Sequence, residues 1–244
     1  MTAEEYNLKN KELFERWKTK HLKKYGQVGF VSDGIVNLEK WFSTNGKEER
    51  IMFLLKEAYD KSETPINWDE AKWLNQEKCM ESCSYKPTCS KCEVTGTTFN
   101  FIASVVYGIT ENQTKHYDSW LGIEPHNYSK YKTKRRDLLR KIAVVNIKKS
   151  NGKSSSKDDD IYYYTADDKE LLIEQIKLIN PTLIICGGTY NYLRCIFTDL
   201  PRLEDASNGS CVYNSIKIVA AQHPNSHSNG EAKYNSILAN YNKL

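Results

Sequence analysis

The run Ile51-Met52-Phe53-Leu54-Leu55 passes without a break into the polar cluster Lys56-Glu57-Ala58-Tyr59-Asp60. Unbroken apolar character is what a strand covered on both faces requires, so the run reads as one strand of a parallel sheet. Three further runs end comparably: Ile142-Ala143-Val144-Val145 stops at Asn146, residues 183–186 turn at Gly187-Gly188, and residues 216–221 lead into Gln222-His223-Pro224-Asn225-Ser226. Helical patterns at 99–107, 134–141, 167–179, 190–197 and 231–241 alternate with these runs, which predicts an α/β fold with a short central parallel sheet. In such a sheet ligands bind in the crevice outside the carboxyl ends of the strands. Glu57 with Asp60, Asn146, and His223 with Ser226 are therefore the candidates for chemistry.

The chain has 244 residues, enough to bury a substantial core without disulfides. Residues 1–48 read as an N-terminal helical extension, with Tyr6, Leu13, Phe14 and Trp17 at helical spacing. Residues 49–244 read as the α/β domain, interrupted by a polar, Cys-bearing insertion at 61–97. The charged fraction of 27% and the net charge of +4 are ordinary, so attraction to a polyanion must come from local clusters. The basic groups near Asn146 are Lys148, Lys149 and Lys153, within a segment polar enough to be expected as a mobile loop. No stretch approaches the roughly 20 apolar residues that span a bilayer. Met1-Thr2-Ala3-Glu4-Glu5 lacks the cationic start of a signal peptide, and the expectation is a cytoplasmic monomer.

Seven cysteines in a chain expected in a reducing compartment argue against a disulfide framework. Cys186, Cys195 and Cys211 lie in or near apolar runs. Cys79, Cys83, Cys89 and Cys92 crowd into the insertion, and four thiolates at that spacing can close a tetrahedral metal site. Structural zinc is expected there, with a four-iron iron–sulfur cluster as the alternative.

Taken together, these motifs resemble the uracil-DNA glycosylase superfamily over most of residues 50–240. Residues 55–60 are similar to its first motif in either of two registers, and Glu57 falls on the catalytic carboxylate in both. Tyr59 takes the place of a residue that blocks a 5-methyl group in one register only. Gly96-Thr97-Thr98-Phe99 is similar to the segment that stacks a phenylalanine on the extruded base. Residues 144–149 resemble the strand whose asparagine reads the base edge, here Asn146. His223-Pro224-Asn225-Ser226-His227-Ser228 resembles the loop carrying an electrophilic histidine, with His227 where a leucine often wedges into DNA and Asn225 where serine is common.

The resemblance implies a three-layer α/β/α arrangement around a mostly parallel four-stranded sheet. It also implies hydrolysis of the N-glycosidic bond of uracil or a related base in damaged or single-stranded DNA. In that reaction Glu57, with Asp60 nearby, orients water and stabilises a cationic sugar, while His223 donates to the leaving base. Asn146 matches a pyrimidine's O4 and N3–H together, Phe99 and Tyr59 shape the pocket with Ser226, and Lys148, Lys149, Lys153 and His227 meet the DNA. Two rival expectations are a catalytically idle module that recognises modified bases and a protein that binds free nucleotides.

Overall fold

The computed structural model describes residues 1–26, 29–43, 48–59, 67–75, 97–111, 128–152 and 155–244. In chain order the elements are α1 (Ala3–Tyr25), β1 (Phe30–Ser32), β2 (Gly34–Ile35), α2 (Leu38–Ser43), β3 (Ile51–Tyr59), β4 (Asn67–Asp69) and α3 (Glu70–Asn75). There follow α4 (Thr97–Thr110), α5 (Tyr128–Leu139), β5 (Ala143–Gly152), α6 (Asp158–Asp167), α7 (Lys169–Ile179) and β6 (Leu183–Gly187). The last are α8 (Tyr190–Ile196), β7 (Gly209–Tyr213), β8 (Ile216–Ala221) and α9 (Gly230–Tyr241).

The chain is an α/β protein whose main sheet has six strands in the order β2-β5-β3-β6-β8-β7. The four inner strands are parallel and coincide with the four apolar runs of the sequence. The two edges, β2 and β7, are antiparallel to their neighbours. They extend the expected four strands to six, and each was hidden for a physical reason. Strand β2 is two residues long, and β7 is half-exposed, so neither carries the unbroken apolar run of a doubly covered strand. A separate pair, β1 with β4, is parallel.

Alternate residues of β3 enter different clusters, as the two-residue period of a strand dictates. Ile51, Phe53 and Leu55 join one that includes Ile102 and Val106 of α4, Leu138 of α5 and Ile237 of α9. Met52 and Leu54 join another with Leu13 and Trp17 of α1, Ile161 of α6, Ile176 of α7 and Leu193 of α8. Residues of the expected N-terminal extension thus share this second core, and β2 belongs to the main sheet. Helix α1 starts at a capping box, Thr2 and Glu5 each bonding the other's backbone N–H.

Beyond Val145 the structure departs from the expected loop. Strand β5 continues through Gly152, and α6 begins at Asp158 where only polar residues had been read. Ion pairing explains the difference. Lys148 and Lys149 lie within the strand with carboxylate partners, so a polar sequence still forms a largely buried strand.

Candidate active site

Register aligns the expected residues along one end of the sheet. Leu55 is opposite Asn146 and Glu57 opposite Lys148 on β3 and β5, while Gly187 at the end of β6 is opposite Ala221 at the end of β8. His223 follows two residues later. Since β6 alone separates β3 from β8, the Glu57 and His223 strands lie roughly 10 Å apart at one end of the sheet.

His223 is half-buried. Its Nδ1 accepts a hydrogen bond from the Asn225 N–H at 3.1 Å, so the ring proton resides on Nε2. Burial, then the charges of Lys56 and Lys233, lower its pKa below the usual histidine value. The loop is fixed by Lys233 of α9, whose ammonium donates to Pro224 O at 2.8 Å and Ser226 O at 3.1 Å. Ser226 helps to close this turn, its N–H donating to His223 O at 2.9 Å. His227 is exposed. The glycine pair after β6 makes room for the loop: a Cβ on Gly187 would lie 3.0 Å from the Pro224 ring, and Gly188 has φ +71° with the His223 backbone against it.

The Glu57 side chain is almost wholly buried and paired with Lys148, Oε2 to Nζ 2.9 Å. Burial pulls Lys148 down, but Asp160 and Glu57 outweigh it and hold the ammonium above the usual lysine range. The two side chains line a cavity of about 730 Å³, within the range of small-molecule sites, together with Asn151 and the first turn of α6. His223 is not among the residues lining it. Lys56 points to Asp158 at 2.7 Å, and Tyr192 OH donates to the same carboxylate at 2.8 Å. Tyr59 is about half exposed, and Asp60 lies outside the described residues.

Asn146 is fully buried within a polar network that sequence reading missed. Its backbone N–H donates to Asp33 Oδ2 at 2.8 Å, and its Nδ2 donates to Glu70 Oε2 at 2.6 Å. Lys149 is also buried, its Nζ 2.7 and 2.8 Å from the two oxygens of Asp33, and Gln175 donates to that carboxylate at 2.7 Å. Lys149, expected at a phosphate, is thus a core cation, and Lys148 is committed to Glu57 and Asp160. Burial, then the charge of Asp33, pushes the Glu70 carboxyl up to about 8, against the pull of Asn146 and Lys149. Nothing in the sequence singled out Asp33 or Glu70, because each is a lone acid whose importance lies in what the fold brings to it.

Phe99, expected to stack on a base, is buried with its ring 5.7 Å from that of Trp73 and tilted 66° to it. Lys153 and the four clustered cysteines lie outside the described residues. Among the described residues no group of three or more His, Cys, Asp or Glu is placed to hold a metal ion. No helix among them is long and apolar enough to cross a membrane. In comparison with known proteins, no family model matches the chain and no curated protein matches it.

Proposed function

We propose that the chain is a glycosylase-like hydrolase of the N-glycosidic bond of uracil or a related base in DNA, built on a three-layer α/β/α arrangement. One observation carries this reading: the His223 Nδ1 accepts the Asn225 N–H at 3.1 Å, which leaves Nε2 as the ring donor at this end of the sheet. A departing base develops negative charge on an oxygen, and a preorganised neutral donor stabilises it without surrendering a proton in advance.

Glu57 is the partner in this reading. At the same end of the sheet, with a cavity beside it, it orients water and faces the cationic sugar once Lys148 lets go of it and stays with Asp160. Asn146 reads the base, and a structural zinc or iron–sulfur cluster on Cys79, Cys83, Cys89 and Cys92 belongs to the same proposal. The Glu57–Lys148 ion pair favours a second reading, a catalytically idle module that recognises modified bases, because a neutralised carboxylate is a poor base.

The purified chain is to be incubated with uracil-, hypoxanthine- and thymine-mismatch oligonucleotides and scored for abasic sites. Glycosylase function predicts product, and removing the donor in His223→Ala is expected to cost about 10²–10³ in rate. Retained tight binding without product from any substrate identifies the idle module. Product undiminished in both His223→Ala and Glu57→Gln removes the catalytic assignment.

A further inference from the structure

Side chains of a helix lean toward its N-terminus, and Lys233 lies in the first turn of α9, so its ammonium reaches back to the His223 loop that precedes the helix. Its Nζ donates to Pro224 O at 2.8 Å, Ser226 O at 3.1 Å and Ser226 Oγ at 3.3 Å, and lies 4.9 Å from the centre of the Phe101 ring. Lys233 is buried, and among the described residues it forms no ion pair with a carboxylate. Burial lowers its pKa below the usual lysine range. A charge taken out of water without a counter-ion is costly, and here loop oxygens and an aromatic face offset the cost.

The shortest of these bonds ends on the peptide between Pro224 and Asn225, whose N–H is the one donated to His223 Nδ1 at 3.1 Å. In a planar trans peptide the C=O and the N–H point in opposite directions. Lys233 and the imidazole therefore hold opposite sides of one rigid unit, and rotating that unit breaks both bonds together. Hydrogen bonds in series also polarise one another. A cation on the carbonyl makes the N–H a stronger donor, the N–H draws electron density from the ring, and Nε2–H becomes the better donor in turn. We propose that Lys233 is a positioning residue that acts on the departing base through the Pro224–Asn225 peptide and the His223 ring. The proposal rests on the glycosylase reading of His223 and names what aims and strengthens its donor.

The test combines kinetics and NMR on the full chain, with a single-stranded uracil oligonucleotide as substrate and abasic sites as the product. Lys233→Met removes the ammonium and keeps an apolar stem against Phe101. Its kcat is expected to fall by about 10²-fold with KM little changed, the cost of a catalytic group misplaced by roughly an ångström. Since Lys233 acts through His223, the same substitution made in His223→Ala is expected to cost less than about twofold. A lysine that only stabilises the fold gives equal losses in both backgrounds. In isotope-labelled protein the Asn225 amide proton and the His223 Nδ1 signal are expected to shift in Lys233→Met.

Equal losses in the two backgrounds overturn the proposal and leave the glycosylase reading standing, as does unchanged kcat in a folded Lys233→Met protein. Absence of abasic sites at uracil and hypoxanthine alike in wild type removes that reading. The NMR signals then decide alone whether Lys233 holds the ring, and unchanged signals in Lys233→Met refute it. If that variant does not fold, wild type itself is read. A scalar coupling across the bond from Asn225 N–H to His223 Nδ1 is expected, and its absence breaks the relay and the proposal with it.

Discussion

Glu70 shows how far a single side chain departs from its intrinsic chemistry once the fold surrounds it. Its carboxyl ordinarily titrates at 4.5, and burial followed by the charge of Asp33 raises it to about 8. Between those values the folded state binds a proton that the unfolded chain does not. The associated stability is fully present below the unfolded pKa and is lost as pH rises through the folded one. Glu70→Gln removes the ionisation while keeping an acceptor for Asn146 Nδ2. Urea unfolding of both proteins between pH 5 and 9 is expected to show wild type losing stability relative to the variant as pH rises, by an amount on the order of a few kcal/mol. The difference isolates Glu70, because Lys149, Asp33 and Asp69 remain in both proteins. Parallel pH profiles would mean that the buried carboxyl titrates normally. Such a group cannot be found by pattern reading: Asn146 was visible at the end of an apolar run, but the two carboxylates that orient it come from a turn and from the start of a short helix.

The four inner strands were legible as elements because each is apolar on both faces, and six helices, α1 among them, followed from their periodicity. What escaped was the continuation of β5 over residues 148–152 and the helix α6 after it. Residues 148–152 and the first turn of α6 are polar in sequence, and both are secured by charge pairs that exist only after β3, β5 and α6 meet. Gly152 marks the junction. Pairing of β3 with β5 shifts register between Glu57 and Tyr59, where Gly152 is opposite Tyr59. A Cβ on Gly152 would lie 2.5 Å from Glu57 Cγ, 2.7 Å from its Cδ and 2.8 Å from Ala58 O. The side chain can shift, but the backbone oxygen yields only if the strands separate. Gly152→Ala is therefore expected to cost about 1–3 kcal/mol and to displace Glu57 from Lys148. In a chain of this size each kcal/mol lowers the melting temperature by about 2–4 °C, so a thermal melt followed by circular dichroism reads the effect. A variant with unchanged melting temperature and unchanged turnover would show that this end of the sheet has slack the packing does not suggest.

At the scale of the molecule, the reading of residues 1–48 as an extension concerns sequence position, while stability depends on which surfaces α1 covers. Leu13, Phe14 and Trp17 pack in one cluster with Phe30, Ala143, Val145 and Ile147. The Lys149 ammonium lies 4.9 Å from the centre of the Trp17 ring, so α1 roofs the Lys149–Asp33 pair that in turn holds Asn146. Polar contacts fasten the far end: His21 Nε2 is 2.7 Å from Asp168 Oδ2, Lys20 is 2.8 Å from Asp168 Oδ1, and Tyr25 OH donates to Asp167 at 2.6 Å. The His21–Asp168 contact is buried and fastens α1 together with the aromatic surface, whereas the partly exposed Lys20 adds at most about 1 kcal/mol. Deleting residues 1–26 would remove the roof while leaving Lys149 and Asp33 in place. A buried pair opened to water on one side forfeits the low dielectric that made it strong, and the apolar residues beside it are left uncovered. The shortened chain is therefore expected to lose its sharp urea transition, bind a hydrophobic dye such as ANS and retain helical far-ultraviolet signal, the behaviour of a compact state without fixed packing. A cooperative transition with the full chain's slope would show instead that residues 27–244 close their own core, in which case the orientation of Asn146 must be secured by Gln175 and Glu70 without the help of α1.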